Sequence, residues 1–183
     1  MIKGASVTLG PLLPNDFPRL FLWADDFEAA RLNEPYRPAM WKGQEEFWFG
    51  NGKDPSRVCF AIRNFDSPDI IGFVQIWGID PVNRSALIGM RIGSAADHGK
   101  GYGSDALRLT VKYCWNQLNL SRLSLVVFET NRNAIKLYTA HGFEREGVAR
   151  RAVFIDGRWL DVIFMALLHP SRTNPEAAGA APA

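Results

Sequence analysis

Six residues, His98-Gly99-Lys100-Gly101-Tyr102-Gly103, stand just ahead of a segment with helical periodicity. Their chemistry is that of an anion cradle. Glycine lets the backbone turn sharply and approach a ligand, because no Cβ stands in the way. Amide N–H groups of such a loop, opening onto a helix N-terminus, converge on phosphate oxygens. Lys100 adds a point charge. A glycine-rich loop can also be no more than a turn, so its meaning depends on its frame. The order Gly101-x-Gly103-x-x-Ala106, with Glu129 further on, fits a relaxed dinucleotide fingerprint. That fingerprint follows its strand directly, whereas Gly93–Asp97 separates Ile92 from His98, and it needs several parallel strands. The P-loop pattern fails, because no Gly-Lys-Ser/Thr follows the spacer. There is no Gly-x-Ser-x-Gly elbow either. Cys59 lies inside an apolar strand pattern and Cys114 on the apolar face of a helix, so both read as core.

The elements that must position this loop follow from periodicity. Residues 5–12 predict a short strand; Asn15-Asp16 offers an N-cap, and Pro18 falls just inside a helix presenting Phe17, Leu20, Phe21 and Ala24. Residues 33–52 predict loop with a short helix through 44–49. They carry Tyr36, Trp41, Phe47, Trp48 and Phe49, which form either a small aromatic core or the wall of a substrate cleft. Val58–Arg63, Ile70–Trp77 and Ser85–Ile92, parted by polar turns, read as an antiparallel meander. Over 104–118, Leu107, Val111, Cys114 and Leu118 share one helical face, with Asp105, Arg108, Lys112 and Asn116 on the other. Leu123–Phe128 is almost continuously apolar, which predicts a strand covered on both faces and hence one right-handed parallel crossover. Residues 133–141 form a second helix with Ala134, Leu137, Tyr138 and His141 on a face. Gly142 takes the left-handed C′ position, with Phe143 packing back on Tyr138. His141 is placed where the helix dipole favours a cation. A hairpin, 147–154 and 158–168, turns at Asp156-Gly157. Residues 169–183, rich in Pro, Ala and Gly and including His169, read as a tail beyond a single domain, 1–168.

Residues 86–103 resemble the acetyl-CoA motif of the GNAT acetyltransferase superfamily: a strand, a short loop, then Arg or Gln, two residues, Gly, one residue, and Gly or Ala. Gly101 and Gly103 match, while His98 stands where Arg or Gln is usual. Asn131-x-x-Ala134-x-x-x-Tyr138-x-x-x-Gly142-Phe143 resembles the superfamily's later strand-to-helix segment. The closing stretch, Glu146-Gly147 through Asp161, is similar to the branch of RimJ/RimL-type ribosomal-protein alanine acetyltransferases and spermidine acetyltransferases. The resemblance spans residues 6–168 and implies the GNAT fold. That is a mixed α/β architecture with a central, mostly antiparallel twisted sheet of about seven strands, one parallel crossover and helices on both faces.

It implies direct attack of a neutral amine on the thioester of acetyl-CoA, the co-substrate, without a metal. Contacts to acetyl-CoA would come from Met90, Arg91 and Ile92, at the edge where two central parallel strands part. Further contacts would come from His98, Gly99, Lys100, Gly101, Tyr102, Gly103 and Ser104 in the loop, and from Asn131, Asn133, Lys136 and Tyr138. The Ile92 amide would hydrogen-bond the thioester oxygen as charge develops, although residues 90–92 read equally as ordinary sheet. Tyr138 would protonate or hydrogen-bond the departing thiolate. A phenol near pKa 10 is a weaker acid than a thiol near about 8.5, so hydrogen bonding is the larger effect. The other reading is a core tyrosine under Phe143.

No general base is legible. Relatives carry Glu where Leu87 stands, leaving Glu34, Asp25, Glu129, Asp161 or a water to take the proton. Trp23, Tyr36, Trp41 and Trp48, with Asp25, Asp26 and Glu34, suit a cationic acceptor. Glu34-Pro35-Tyr36 resembles polyamine-acetylating relatives, and a protein N-terminus is the competing acceptor, so the expectation is a primary amine of either kind. The alternative function is a catalytically degenerate, acetyl-CoA-binding regulatory domain, which Tyr138 disfavours and Leu87 favours.

Composition bounds the rest. The 183 residues are 47% hydrophobic and 22% charged, with net charge +2 and no basic run, so a nucleic-acid partner is not expected. The two cysteines lack CxxC spacing, which suits a reducing compartment and argues against zinc. Met1–Ser6 has no leader-like apolar stretch, and no apolar run approaches the ~20 residues of a membrane span. A cytoplasmic protein without a membrane partner is expected, with a homodimer the assembly to test.

Overall fold

The computed structural model describes residues 1–50 and 54–171. In chain order the elements are β1 (Ile2–Lys3), β2 (Val7–Gly10), α1 (Phe17–Ala24), α2 (Phe27–Ala30), α3 (Trp41–Glu45), β3 (Arg57–Asn64), β4 (Ile70–Asp80), β5 (Ser85–Ile92), α4 (Tyr102–Asn116), β6 (Arg122–Phe128), α5 (Arg132–Ala140), β7 (Glu144–Ile155) and β8 (Arg158–Leu168). The strands form one eight-stranded sheet in the order β1-β2-β3-β4-β5-β6-β8-β7. Every neighbouring pair is antiparallel except β5 and β6, the expected crossover through α4. The strand beyond the anticipated seven is β1, whose two residues pair with Leu9 and Thr8. Ile88, Leu107, Cys114, Leu123, Leu125 and Phe143 belong to the main core, between one sheet face and helices α4 and α5.

Several local expectations change once tertiary partners are present. The first strand is shorter than 5–12, ending before Pro11, which has no N–H for the ladder. Asp16 does not cap α1 through its side chain; it closes a 3₁₀ turn by accepting the Leu13 amide at 2.8 Å and forms a buried ion pair with Arg63. The aromatic segment is helical over Trp41–Glu45 and continues as a π-type turn, Glu46–Gly50, rather than as one helix over 44–49. Asp105, assigned to the polar face of α4, is buried. It accepts the amides of Ser6 at 2.7 Å and Val7 at 3.1 Å and pairs with Arg108 at 2.6 Å, tying α4 to the start of β2. Burial pushes this carboxyl up, but those amides and Arg108 outweigh it and hold it below the usual carboxylate range.

Strand β6 is not covered on both faces throughout: Leu123, Leu125 and Val127 are buried, while Val126 between them is 51% exposed. The end of α5 follows its local rule, with Gly142 at φ +84° and the Phe143 amide reaching the Tyr138 carbonyl at 3.1 Å. Asp156 and Gly157, both at positive φ, make the two-residue turn between β7 and β8. His169 is pinned to the domain: its amide donates to the Ser121 carbonyl at 2.9 Å and its ring lies 5.3 Å from Trp115. The remainder of the expected tail, 172–183, lies outside the described residues.

Candidate active site

The site begins where two strands stop pairing. β5 and β6 are in register only from Ser85↔Arg122 to Leu87↔Ser124. Beyond that, β5 stays with β4 as far as Gly72↔Ile92, and β6 stays with β8 as far as Phe128↔Val162. Residues 88–92 and 125–128 therefore border an opening in the middle of the sheet. The Gly93 amide donates to Ile71 on the β4 side at 2.9 Å, so in the alternating antiparallel pattern Met90 and Ile92 turn their amides and carbonyls towards the opening. The Arg84 carbonyl, which accepts the amides of Ser121 and Arg122, confirms that parity at the other end of β5. His98 bends back on this edge, donating from Nε2 to the Ile92 carbonyl at 3.1 Å.

After β5 the chain makes a 3₁₀ turn, Ala95–Asp97, and enters the glycine loop. Gly99 and Gly101 take φ of +75° and +83°, a region that glycine occupies without strain. The first helical bond of α4 runs from the Asp105 amide to the Gly101 carbonyl at 3.0 Å. The amides of Gly99, Lys100, Gly101, Tyr102, Gly103 and Ser104 have no partner among the described residues. Six consecutive unpaired N–H groups, running from the loop into the first turn of a helix with its dipole behind them, are the kind of donors that an anion needs. A Cβ at Gly99 or Gly101 would meet nothing within 4 Å, so the surface above both is open. Lys100 is not a free charge, because it pairs with Asp97 at 3.2 Å. Gly103 is different: a Cβ there would lie 3.7 Å from Leu137 and 3.8 Å from Ile92 and Met90. It marks where β5, α4 and α5 converge, and alanine fits that space.

Helix α5 brings Tyr138 to this junction. Its ring is buried and edge-on to Phe143 at 5.5 Å, and its hydroxyl makes no hydrogen bond among the described residues. Burial pushes its pKa up to about 12. Asn131 is engaged as the N-cap, accepting the Ala134 amide at 3.2 Å and donating to the Leu32 carbonyl at 3.4 Å. Asn133 and Lys136 are exposed on α5. His141 does more than face a helix dipole: Nδ1 donates to Leu137 at 2.9 Å, and Nε2 lies 3.1 Å from both the hydroxyl and the carbonyl of Ser104. It clasps the end of α5 to the first turn of α4.

The side chain of Arg91 departs from the role expected of its backbone. It crosses to the opposite face of the sheet, donating to the Trp23 carbonyl and to Asp26 at 2.8 Å. There it lines a cleft of about 630 Å³, together with Glu34, Arg37, Trp48, Phe73 and Gln75. Of the aromatic residues expected at the acceptor side, Tyr36 and Trp48 line this cleft, whereas Trp41 packs on Phe17 and Phe21 outside it. Asp25 accepts from the Tyr36 hydroxyl and the Ala39 amide, each at 3.0 Å, and Asp26 caps α2. Asp161 accepts the Arg151 amide and Glu129 the Asp161 amide, so both are engaged at β8. Glu34 is the candidate base that lines the cleft with a carboxylate free of hydrogen bonds among the described residues. Gln75, Arg37 and Phe73 escaped sequence reasoning; Gln75 left one signal, as the only polar residue in Ile70–Trp77.

Comparison with known proteins decides the family. Residues 6–144 match the acetyltransferase (GNAT) domain model. The chain belongs to the GNAT acetyltransferase family. Among its GNAT relatives, the probable N-acetyltransferase YjcK of Bacillus subtilis is 33% identical over 112 residues, 61% of this chain and 61% of that protein. The spermidine N(1)-acetyltransferase of Vibrio cholerae is 34% identical over 144 residues, 78% of this chain and 80% of that one. A crystal structure of spermidine N-acetyltransferase from Vibrio cholerae, in complex with CoA and spermine, superposes with a TM-score of 0.81 at 27% identity, covering 88% of this chain and 95% of that one.

Proposed function

We propose that this GNAT protein transfers the acetyl group of acetyl-CoA to a primary amine. The observation that carries the reading is the row of six free amides, Gly99–Ser104, beside the opening between β5 and β6. Acetyl-CoA fits these residues: its phosphates need clustered donors, its amide-bearing arm needs an unpaired strand edge, and its leaving thiolate needs a proton donor. The loop amides would hold the phosphates, and the backbone of Met90 and Ile92 would align the arm. His98 already occupies the Ile92 carbonyl, which leaves the amides of Met90 and Ile92 as the donors at that edge. Bound acetyl-CoA supplies the activated acyl carbon. The chain's own residues then do three things. The Ile92 amide faces the developing oxyanion. Tyr138, kept protonated by burial, offers its unpaired hydroxyl to sulfur as the C–S bond breaks. Glu34 takes the proton that the attacking nitrogen must lose, because the other candidate carboxylates are engaged elsewhere.

Within the family we place the chain beside the spermidine and RimJ/RimL-type enzymes, on the likeness of its closing hairpin. The free thiols of Cys59 and Cys114 suit a reducing, cytoplasmic setting, and a homodimer is the assembly to test by light scattering. The catalytic test is release of free CoA thiol from acetyl-CoA against a panel of primary amines. Amine-dependent release is expected. Saturable acetyl-CoA binding without turnover of any amine would instead make the protein an acetyl-CoA-binding regulatory domain. Thermal stabilisation by NADH with none by acetyl-CoA would overturn the reading entirely.

A further inference from the structure

The charges of the acceptor cleft are not those of a polycation site. Neither Asp25 nor Asp26 lines it: Asp25, accepting from Tyr36 and Ala39, keeps its charge outside the lining, and Asp26 accepts from Ala29 and pairs with Arg91. The charged residues lining the cleft are then Glu34, Arg37 and Arg91. Arg91 is neutralised by Asp26, so Glu34 and Arg37 are left as one anion and one cation without an ion partner among the described residues. The two stand differently towards the reaction centre. Glu34 lies close enough to Arg91, next to Ile92 on β5, to act on it electrostatically. Two residues earlier, Leu32 receives the Asn131 side chain from the far side of the opening. Glu34 thus belongs to the mouth of the opening. Gln75 lies deeper: it pairs with Gly89, one side-chain row further from the end of β5 than Phe73, which pairs with Arg91. Its amide has no hydrogen-bond partner among the described residues.

We infer, resting on the acetyl-transfer reading above, that the acceptor is a small amino-acid-type molecule carrying a carboxylate besides its amine, with Arg37 and Gln75 recognising that carboxylate. The ammonium end meets Glu34 at the mouth, and the carboxylate lies along the cleft wall towards Gln75 and the unpaired guanidinium of Arg37. A guanidinium recognises a carboxylate through paired, charge-assisted hydrogen bonds. A polyamine, with cations along its whole length, finds one carboxylate in the cleft lining and meets Arg37 as a like charge.

The experiment compares kcat/KM, by CoA thiol release, for the L-amino acids, their carboxamides and spermidine. At least one amino acid is expected to exceed its own carboxamide by about tenfold or more, the effect of one charge-assisted contact. Arg37→Gln, a change on an exposed loop, should bring that ratio close to one. Faster turnover of spermidine or of the carboxamides, or an acid-to-amide ratio unchanged in Arg37→Gln, overturns this assignment and leaves acetyl transfer standing. Turnover of no amine at all, with acetyl-CoA bound, overturns both.

Discussion

Gly101→Ala separates the demands of folding from those of binding. Gly101 sits at φ +83°, where an L-residue pays about 1–2 kcal/mol of backbone strain. No atom lies within 4 Å of the added methyl, so strain is the whole penalty in the free protein. For a chain of this length the melting temperature should fall by roughly 2–8 °C. With ligand the outcome differs, because the methyl projects into the open surface between the free amides. Loss of one charge-assisted contact, about 1.5–3 kcal/mol, weakens binding up to about 100-fold. Acetyl-CoA at about 100 times its wild-type dissociation constant stabilises the wild type by roughly 2.7 kcal/mol, or some 5–10 °C. The same concentration would stabilise the variant by only about 0.4–1.3 kcal/mol, a shift of roughly 1–5 °C. Thermal unfolding with and without acetyl-CoA reads both effects. Gly103→Ala is the control: its methyl meets neighbours at ordinary contact distances, and it should keep the full ligand shift while gaining up to about 1 kcal/mol of helix propensity. A full ligand shift in Gly101→Ala would refute the phosphate cradle.

Tyr138→Phe should lower kcat by about 10²–10⁴ with little change in acetyl-CoA affinity, because the hydroxyl acts as the thiolate leaves; unchanged kcat in a folded variant would remove its role. Glu34→Gln should lower kcat by about 10²–10⁴, because the proton acceptor is lost, and raise KM for the acceptor, while the dissociation constant of acetyl-CoA, measured by calorimetry, stays where it was. His141→Ala unfastens α4 from α5, and KM for acetyl-CoA should rise several-fold, with His141→Gln recovering part of the loss. Burial raises Cys114 from 9.0 to about 12 and Tyr138 from 10.0 to about 12, so the fold keeps protons that the unfolded chain releases. Their contribution is complete below pH 9 and is lost as pH rises towards 12, by about 1.4 kcal/mol per pH unit per group. Denaturant melts of Cys114→Ala should fall less steeply between pH 9 and 10 than those of the wild type.

What could be read from the sequence was local. Ser85–Ile92 is legible at both ends because its apolar pattern stops at turn residues on both sides. Gly142 and Phe143 were placed because a helix C-terminus needs a left-handed residue and a hydrophobic contact. What local pattern does not show is set by long-range contacts. Helical periodicity put Asp105 on the solvent face, because the amides of Ser6 and Val7 that bury it come from the other end of the chain. Asp25 and Asp26 looked available for a cationic substrate until the chain folded Tyr36, Ala39 and Arg91 onto them. Trp41 is an aromatic like Trp48, and only the path of α3 and the π-type turn after it puts one outside the cleft and the other on its wall. The parting of β5 and β6 leaves no local mark, because it is an absence of pairing between two good strands; the family resemblance suggested it, and the register located it after Leu87↔Ser124.

The most direct measurement is the amide NMR spectrum of the labelled protein titrated with acetyl-CoA. The resonances of Gly99, Lys100, Gly101, Tyr102, Gly103 and Ser104 are free of internal partners, and should show the largest downfield shifts as phosphate oxygens accept from them, with the Ile92 amide moving alongside. Shifts confined to another surface, with these six amides unmoved at saturation, would contradict the account.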